Sequence, residues 1–275
     1  MFELFSSLNI PFELIPGWMV FNKNFQHVQT RSKFDKMHIH NKSIVIQSLM
    51  KNIFRIIQAM FFTFMVLLIH SCKKTPYNPI KDIDGNVYTD AMIGTQVWMR
   101  ENLKTTKYND GTSIPLVTDK TAWANLSTPG YCWYNNDATT YKTIYGALYN
   151  WYTVNTGKLC PTGWHVPIKD EWAILATYLG GESVAGGKLK ETGTSHWLSP
   201  NTGANNTSGF TALPGGYRYT AGEFDFVGMN GFWWSVNEST TDWAYDRELD
   251  NDNSYYWFFN DPKKAGFSVR CIKEN

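Results

Sequence analysis

A chain of 275 residues with 25 Lys and Arg against 24 Asp and Glu, a formal net charge of +1, has no basic field to gather nucleic acid. Eleven of the twelve tryptophans follow Cys72. That density, with abundant Gly, Asn, Thr and Ser, suits an extracellular, loop-rich domain whose large rings fill a core of little regular structure, and the roughly 200 residues after Cys72 exclude two domains of ordinary size.

Residues 1–49 show no sustained helical or strand period and are expected to be upstream translation or a disordered leader. Met50 is the expected start, because residues 50–71 read as a bacterial lipoprotein signal peptide. Lys51 and Arg55 supply its basic region and Ile56 to Ile69 its apolar region. Ile69-His70-Ser71-Cys72 resembles a lipobox ending in the cysteine that accepts lipid, with His70 where a small residue is usual. The competing reading is an uncleaved anchor, but about 14 apolar residues fall short of the roughly 20 that span a bilayer. Lipid on Cys72 would hold the protein to the outer membrane, on either its periplasmic or its surface face. Residues 72–81, with Pro76 and Pro79, then form a short tether.

Residues 82–275 are the expected domain. Asp84-Gly85 and Gly94-Thr95 are turn signals between Val87 to Thr89, Ala91 to Ile93 and Gln96 to Met99, which together open a β-meander. Tyr145 to Val154 places Leu148, Trp151 and Tyr152 at helical spacing. Pro167 to Leu179 reads as a second helix, with Asp170 and Glu171 in its first turn and Gly180-Gly181 as its stop. After Gly209 strands resume: Tyr217 to Tyr219, Phe232 to Ser235, Trp243 to Leu249, Tyr255 to Phe259 and Gly266 to Cys271. The expected class is α+β, a single domain with irregular loops and two helices packed on antiparallel strands.

With Cys72 lipidated, Cys132, Cys160 and Cys271 face an oxidising compartment, and an odd number leaves at least one without an internal partner. One bridge is expected, Cys160 to Cys271, with Cys132 free or buried. Three free buried thiols are the alternative.

Several blocks together resemble one family. They are Ile93 to Leu103 (IGTQVWMRENL), Tyr145 to Tyr152 (YGALYNWY), Cys160 to Pro167 (CPTGWHVP), Glu171-Trp172, Ser208 to Pro214, Gly231 to Ser235 and Gly266 to Cys271. This text is similar to the Fibrobacter succinogenes major paralogous domain, a family of secreted and lipid-anchored bacterial proteins. The resemblance covers about residues 82 to 273. It implies a C-type lectin-like fold, grouped with the formylglycine-generating enzyme, and it implies no particular activity.

The residues themselves offer little catalytic chemistry. His165 and His196 are the only histidines after Cys72 and each stands alone in the sequence, which favours structural roles. Arg270 is read as an ion-pairing or backbone-capping residue. Nothing in the domain has the order of a Ser-His-Asp triad, a metal-spaced His pair, a P-loop or a dinucleotide fingerprint. A copper-dependent oxidase of the formylglycine-generating type would need two converging thiolates, and a bridge to Cys160 would consume Cys271. No cofactor is expected, although calcium has candidate oxygen ligands in Glu248, Asp250, Asp252, Asn260 and Asp261. Hairpin loops satisfying their own turn geometry are the competing account of those residues.

The expected function is a non-catalytic recognition or structural module of the envelope, contacting a glycan or an envelope protein through loops 110–137 and 218–261. A divergent oxidase and a purely structural envelope protein without ligand are the alternatives. Ring contacts with polar neighbours are expected at Tyr217, Tyr219, Trp243, Tyr245 and Tyr256, where rings alternate with charge. The same alternation would also describe the core side of a sheet.

Overall fold

Short apolar runs cut by turn residues every few positions give many brief strands rather than a few long ones. The computed structural model describes residues 46–62 and 79–274, and the chain divides into two compact units, Met1–Pro76 and Tyr77–Asn275. In the first, residues 46–62 are helical (α1) with exposed side chains. Among the described residues no helix is long and apolar enough to cross a membrane. Cys72 and the apolar run before it extend outside the described residues.

The second unit begins with β1 (Ile80–Lys81) paired antiparallel to β2 (Val87–Tyr88), so the expected tether already contributes two residues to a strand. Asp82 organises the bend between them, its carboxylate accepting from the Asn86 backbone at 2.9 Å and the Tyr88 hydroxyl at 2.6 Å. The hairpin of β3 (Asp90–Ile93) and β4 (Gln96–Met99) follows as the turn signals predict. Period two buries Ala91 and Ile93 and leaves Met92 outside.

Five short helices, not two, pack against the strands. They are α2 (Lys120–Ala124), α3 (Ala138–Tyr145), α4 (Trp151–Val154), α5 (Lys169–Tyr178) and α6 (Glu182–Leu189). Asp119, Asp137 and Asn150 cap the first three by accepting backbone N–H groups. The helix expected over Tyr145 to Val154 is broken. Gly146 adopts φ +79°, where a Cβ would lie 2.6 Å from the Leu103 carbonyl oxygen, and Ala147 donates to that carbonyl at 2.9 Å. The chain therefore runs extended through β6 (Leu148–Tyr149), paired with β5 (Tyr131–Cys132), and coils again only at Asn150. Helix α5 matches its prediction, and Glu171 accepts from the Ile168 N–H at 2.9 Å to start it. Helix α6 escapes a propensity reading because it contains Gly186 and Gly187. A Cβ at either would collide with the carbonyl oxygen of Tyr255 or Gly203, so the glycines permit close packing.

Two main sheets result. One has the order β12-β11-β10-β8-β9, from β8 (Gly215–Arg218), β9 (Phe224–Val227), β10 (Asn230–Glu238), β11 (Trp243–Asp250) and β12 (Trp257–Pro262). Its pairs are antiparallel except β8 with β10, which meet in parallel at Gly216 and Gly231. The other sheet has the order β3-β4-β13-β7, with β7 (Trp164–His165) and β13 (Ile272–Lys273), and joins the end of the chain to its opening hairpin. The unit is a mixed α+β domain with helices against largely antiparallel sheets.

Rings fill the core, as expected. Trp98 lies 4.5 Å from Trp172 between centroids, and Trp234 lies 4.4 Å from Phe267. At the centre Asn102, almost fully buried, uses both ends of its amide. Its Nδ2 donates to the Tyr145 carbonyl (2.9 Å) and Ser268 Oγ (3.2 Å). Its Oδ1 accepts from Trp233 Nε1 (2.8 Å) and Arg270 Nη2 (2.9 Å). Arg270 caps the Phe210 carbonyl with Nη1, the backbone-capping role read from sequence.

Cys160 and Cys271 form a disulfide across 111 residues of sequence, and Cys132 is free and buried. Burial pushes the Cys132 thiol up to about 12. A loop of this length is worth about 4 to 5 kcal/mol in the chain-entropy model. Denaturant unfolding of Cys160→Ala should therefore show a loss of several kcal/mol, and non-reducing peptide mapping should recover the 160–271 pair. Recovery of Cys132 joined to either partner would contradict the assignment.

Candidate functional site

Strand register decides which predicted residues can act together. Between β11 and β12, Glu248 sits opposite Trp257, Asp246 opposite Phe259 and Ala244 opposite Asp261. Between β10 and β11, Phe232 sits opposite Glu248 and Trp234 opposite Asp246. Directly opposed residues share a face. One face thus carries Asp246, Glu248 and Asp261 among Phe232, Trp234, Trp257 and Phe259, and Tyr217 joins it through its ring, 5.0 Å from that of Phe232. Trp243, Tyr245, Arg247 and Phe258 occupy the other face.

The predicted rings divide accordingly. Tyr219 and Trp243 are exposed, at 50% and 42%. Tyr245 stacks on Phe258 at 4.9 Å. Tyr217 is half-buried, with edge-on contacts to Tyr219, Phe232 and Phe267 and a stacked one to Phe226. Tyr256 is a correction: it is 2% exposed and belongs to the core with Trp172. The cause is its N–H, which donates to the Glu182 carbonyl at 2.8 Å and draws the residue under α6. Tyr255, Trp257 and Phe259, by contrast, form a ladder of stacked rings at 4.7 and 5.9 Å. Faces inside such a ladder are occupied by neighbouring rings, so its outer faces are those of Tyr255 and Phe259, each 45% exposed.

The five proposed calcium ligands are not brought together. Asn260 points to the opposite face from Asp261 and donates to Ser239 Oγ at 3.0 Å. Asp250 accepts from Asn230 (2.5 Å) with one oxygen, and from Asn253 (2.7 Å) and Trp257 Nε1 (2.8 Å) with the other. Asp252 is exposed and accepts from Asn253. The acidic loop is organised instead by an internal cation. The fully buried Lys190 ammonium donates to the carbonyls of Thr202 (3.0 Å), Asp250 (2.7 Å) and Asn253 (2.7 Å). Burial holds that ammonium down at about 8. Among the described residues no group of three or more His, Cys, Asp or Glu is placed to hold a metal.

In sequence Asp246 reads only as a charged flank of the Trp243–Tyr245 face. It lies on the other face, 0% exposed, and its carboxyl is hydrogen-bonded to that of Asp261. The alternation of 246, 248 and 250 against 243, 245 and 247 is the signal that separates them. Burial, then repulsion from Asp261 and Glu248, raises Asp246 well above the ordinary carboxyl range. Burial also raises Asp261. Burial, then repulsion from Asp250, pushes Glu248 up to about 8.

The two histidines do not stand alone in space. His165 Nε2 lies 2.9 Å from Glu171, tying β7 to the start of α5, and His196 Nδ1 lies 2.7 Å from Glu191. Both contacts are positional. A group whose folded pKa is raised stabilises the fold below its unfolded pKa and loses that contribution as pH rises through the folded value. For Glu248 the window runs from the ordinary 4.5 up to about 8. Urea melts should accordingly show stability falling between pH 5 and pH 8 on this account, and Glu248→Gln should flatten the fall. An unchanged slope in the variant would refute the assignment.

A family model described as the Fibrobacter succinogenes major domain matches residues 92–273. Comparison with curated proteins and with solved structures gives no match. The matched span contains Asn102, Arg270, the disulfide and the whole acidic aromatic face, and the chain belongs to the Fibrobacter succinogenes major domain family.

Proposed function

We propose that this protein is a lipid-anchored, non-catalytic recognition module of the bacterial outer membrane that binds a glycan on the acidic aromatic face of its five-stranded sheet. The observation that carries the reading is the juxtaposition of the half-exposed Phe259 ring with Asp261 and Glu248. A pyranose can stack on the free ring face while its hydroxyls meet the carboxyl groups. The pairing of β13 with β4, which brings both ends of the domain into one sheet, supports a C-type lectin-like arrangement. Against the oxidase reading, Cys271 is bonded to Cys160 and Cys132 is buried with its thiol raised, so no pair of thiolates converges among the described residues. Cys72 is the anchor in this proposal, and the leader before Met50 plays no part in it.

Labelled palmitate should enter the chain expressed in its bacterial host and fail to enter Cys72→Ser; label retained by the variant would sink the anchor. On a glycan array the protein should give a signal that survives a chelator and is lost with Phe259→Ala. An array blank for both proteins would remove the glycan reading and leave a purely structural role.

A further inference from the structure

Strand β12 is the outer edge of the five-stranded sheet. The bond from the Lys263 N–H to the Asp242 carbonyl, at 2.9 Å, fixes which of its residues face inward. Bonding alternates along an antiparallel pair, so Trp257, Phe259 and Asp261 turn their backbone groups to β11 while Phe258 and Asn260 turn theirs outward. Those outward groups have no hydrogen-bond partner among the described residues. At both ends the edge is closed. The Tyr256 N–H is spent on the Glu182 carbonyl at 2.8 Å, and Pro262 has no N–H to give. Between them neither a charged side chain nor a bulge guards the edge from Trp257 to Asn260, and Phe258 and Phe259 are exposed at 38% and 45%.

We infer that β12 pairs antiparallel with β12 of a second copy of this chain, about a two-fold axis at Phe259, so that the two sheets join into one. The edge is complementary to itself in this register. Phe258 of each copy meets the partner's Asn260 and exchanges both backbone bonds with it. Pro262 falls opposite the partner's Tyr256, so the positions without a free N–H face each other and no donor is stranded. Trp257 falls opposite the partner's Asp261, and no like charges are opposed along the strand. Charge favours the same orientation. Asp252 is exposed before the strand, and Lys264, part-exposed after it, donates to the Ala124 carbonyl at 3.2 Å; neither is in an ion pair among the described residues. Antiparallel pairing turns the Lys264 end of each copy toward the partner's Asp252 end. A foreign strand would have to supply matching ends, whereas a second copy has them by symmetry. Opposed residues share a face, so both Phe259 rings lie on one side of the joined sheet, and the pairing needs no ligand there.

Sedimentation equilibrium of the purified full chain in density-matched detergent, over about 1 to 100 μM, should show monomer and dimer exchanging, as befits a contact this small. Asn260→Pro removes an outward N–H without touching the ladder to β11, so it should weaken the dimer about tenfold or more while the thermal melt stays cooperative. Phe259→Cys should form a disulfide to its own copy, because residues opposed in a non-hydrogen-bonded pair sit at a distance that a disulfide spans. Tyr255→Cys, whose copy lies far along the joined strands, should not. The cysteine variants decide the matter if Asn260→Pro fails to fold. A dimer indifferent to Asn260→Pro, absence of the link in Phe259→Cys, or equal linkage of both cysteine variants would overturn the pairing. A monomer at every concentration would also overturn it and leave the edge to a strand of another protein.

Discussion

A single buried amide joins the parts of this fold that are most distant in sequence. Asn102 follows the opening hairpin, yet it meets the carbonyl at the end of α3, the indole of β10 and the hydroxyl and guanidinium of the C-terminal segment. Four geometric demands converge on one side chain that can both donate and accept. A leucine there would leave Trp233 Nε1 and one edge of Arg270 without an acceptor in a region that water does not reach. Around this node the C-terminal segment is fixed twice more, by backbone bonds from Met99 to Cys271 (3.0 Å) and Leu103 to Val269 (2.8 Å), and by the disulfide. Strand β13, only two residues long, holds its place because the segment before it is fastened on every side.

Legibility in the sequence follows the range of the interaction involved. Helix α5 is readable because its signals are local: acidic residues in its first turn and Gly180-Gly181 at its end. The hairpin of β3 and β4 is equally local. Periodicity misreads Tyr145 to Val154 as one helix because the interruption comes from Leu103, more than forty residues earlier. Helix α6 is hidden for the opposite reason: glycines that weaken a helix in isolation here admit two loops against its backbone. The family text nonetheless spans all of these places, since it records residues selected for those contacts.

The candidate site shows the same division. Glu248 and Asp261 are visible as oxygen-bearing residues, but strand alternation turns Asn260 to the opposite face, Asp250 is taken up by Asn230, Asn253 and Trp257, and Asp252 stays exposed. Asp246 is the reverse case, a neighbour of Tyr245 in sequence that faces away from it. Lys190 cannot be found from the acidic loop at all, because it belongs to the end of α6 and reaches the loop only in the folded chain.

How the buried cations are used bears most directly on function. Arg218 donates to the carbonyls of Val117, Thr118 and Gly222 between the Trp123 and Phe224 rings. Arg270 is met by an amide oxygen, carbonyls and the Phe210 ring, and Lys190 by three carbonyls. All three are fully buried, and none has a carboxylate within ion-pair distance among the described residues. Full positive charges solvated by backbone dipoles and ring faces organise loops that have little regular structure of their own. The same arrangement withholds those charges from Asp246, Glu248 and Asp261. In a chain whose charges nearly cancel, cations taken inward to hold loops leave these acids to hydrogen-bond with other carboxyls, Asp246 with Asp261 and Glu248 with Asp250. That arrangement is a property of the folded domain rather than of its composition, since strand alternation and not sequence order decides which charges meet.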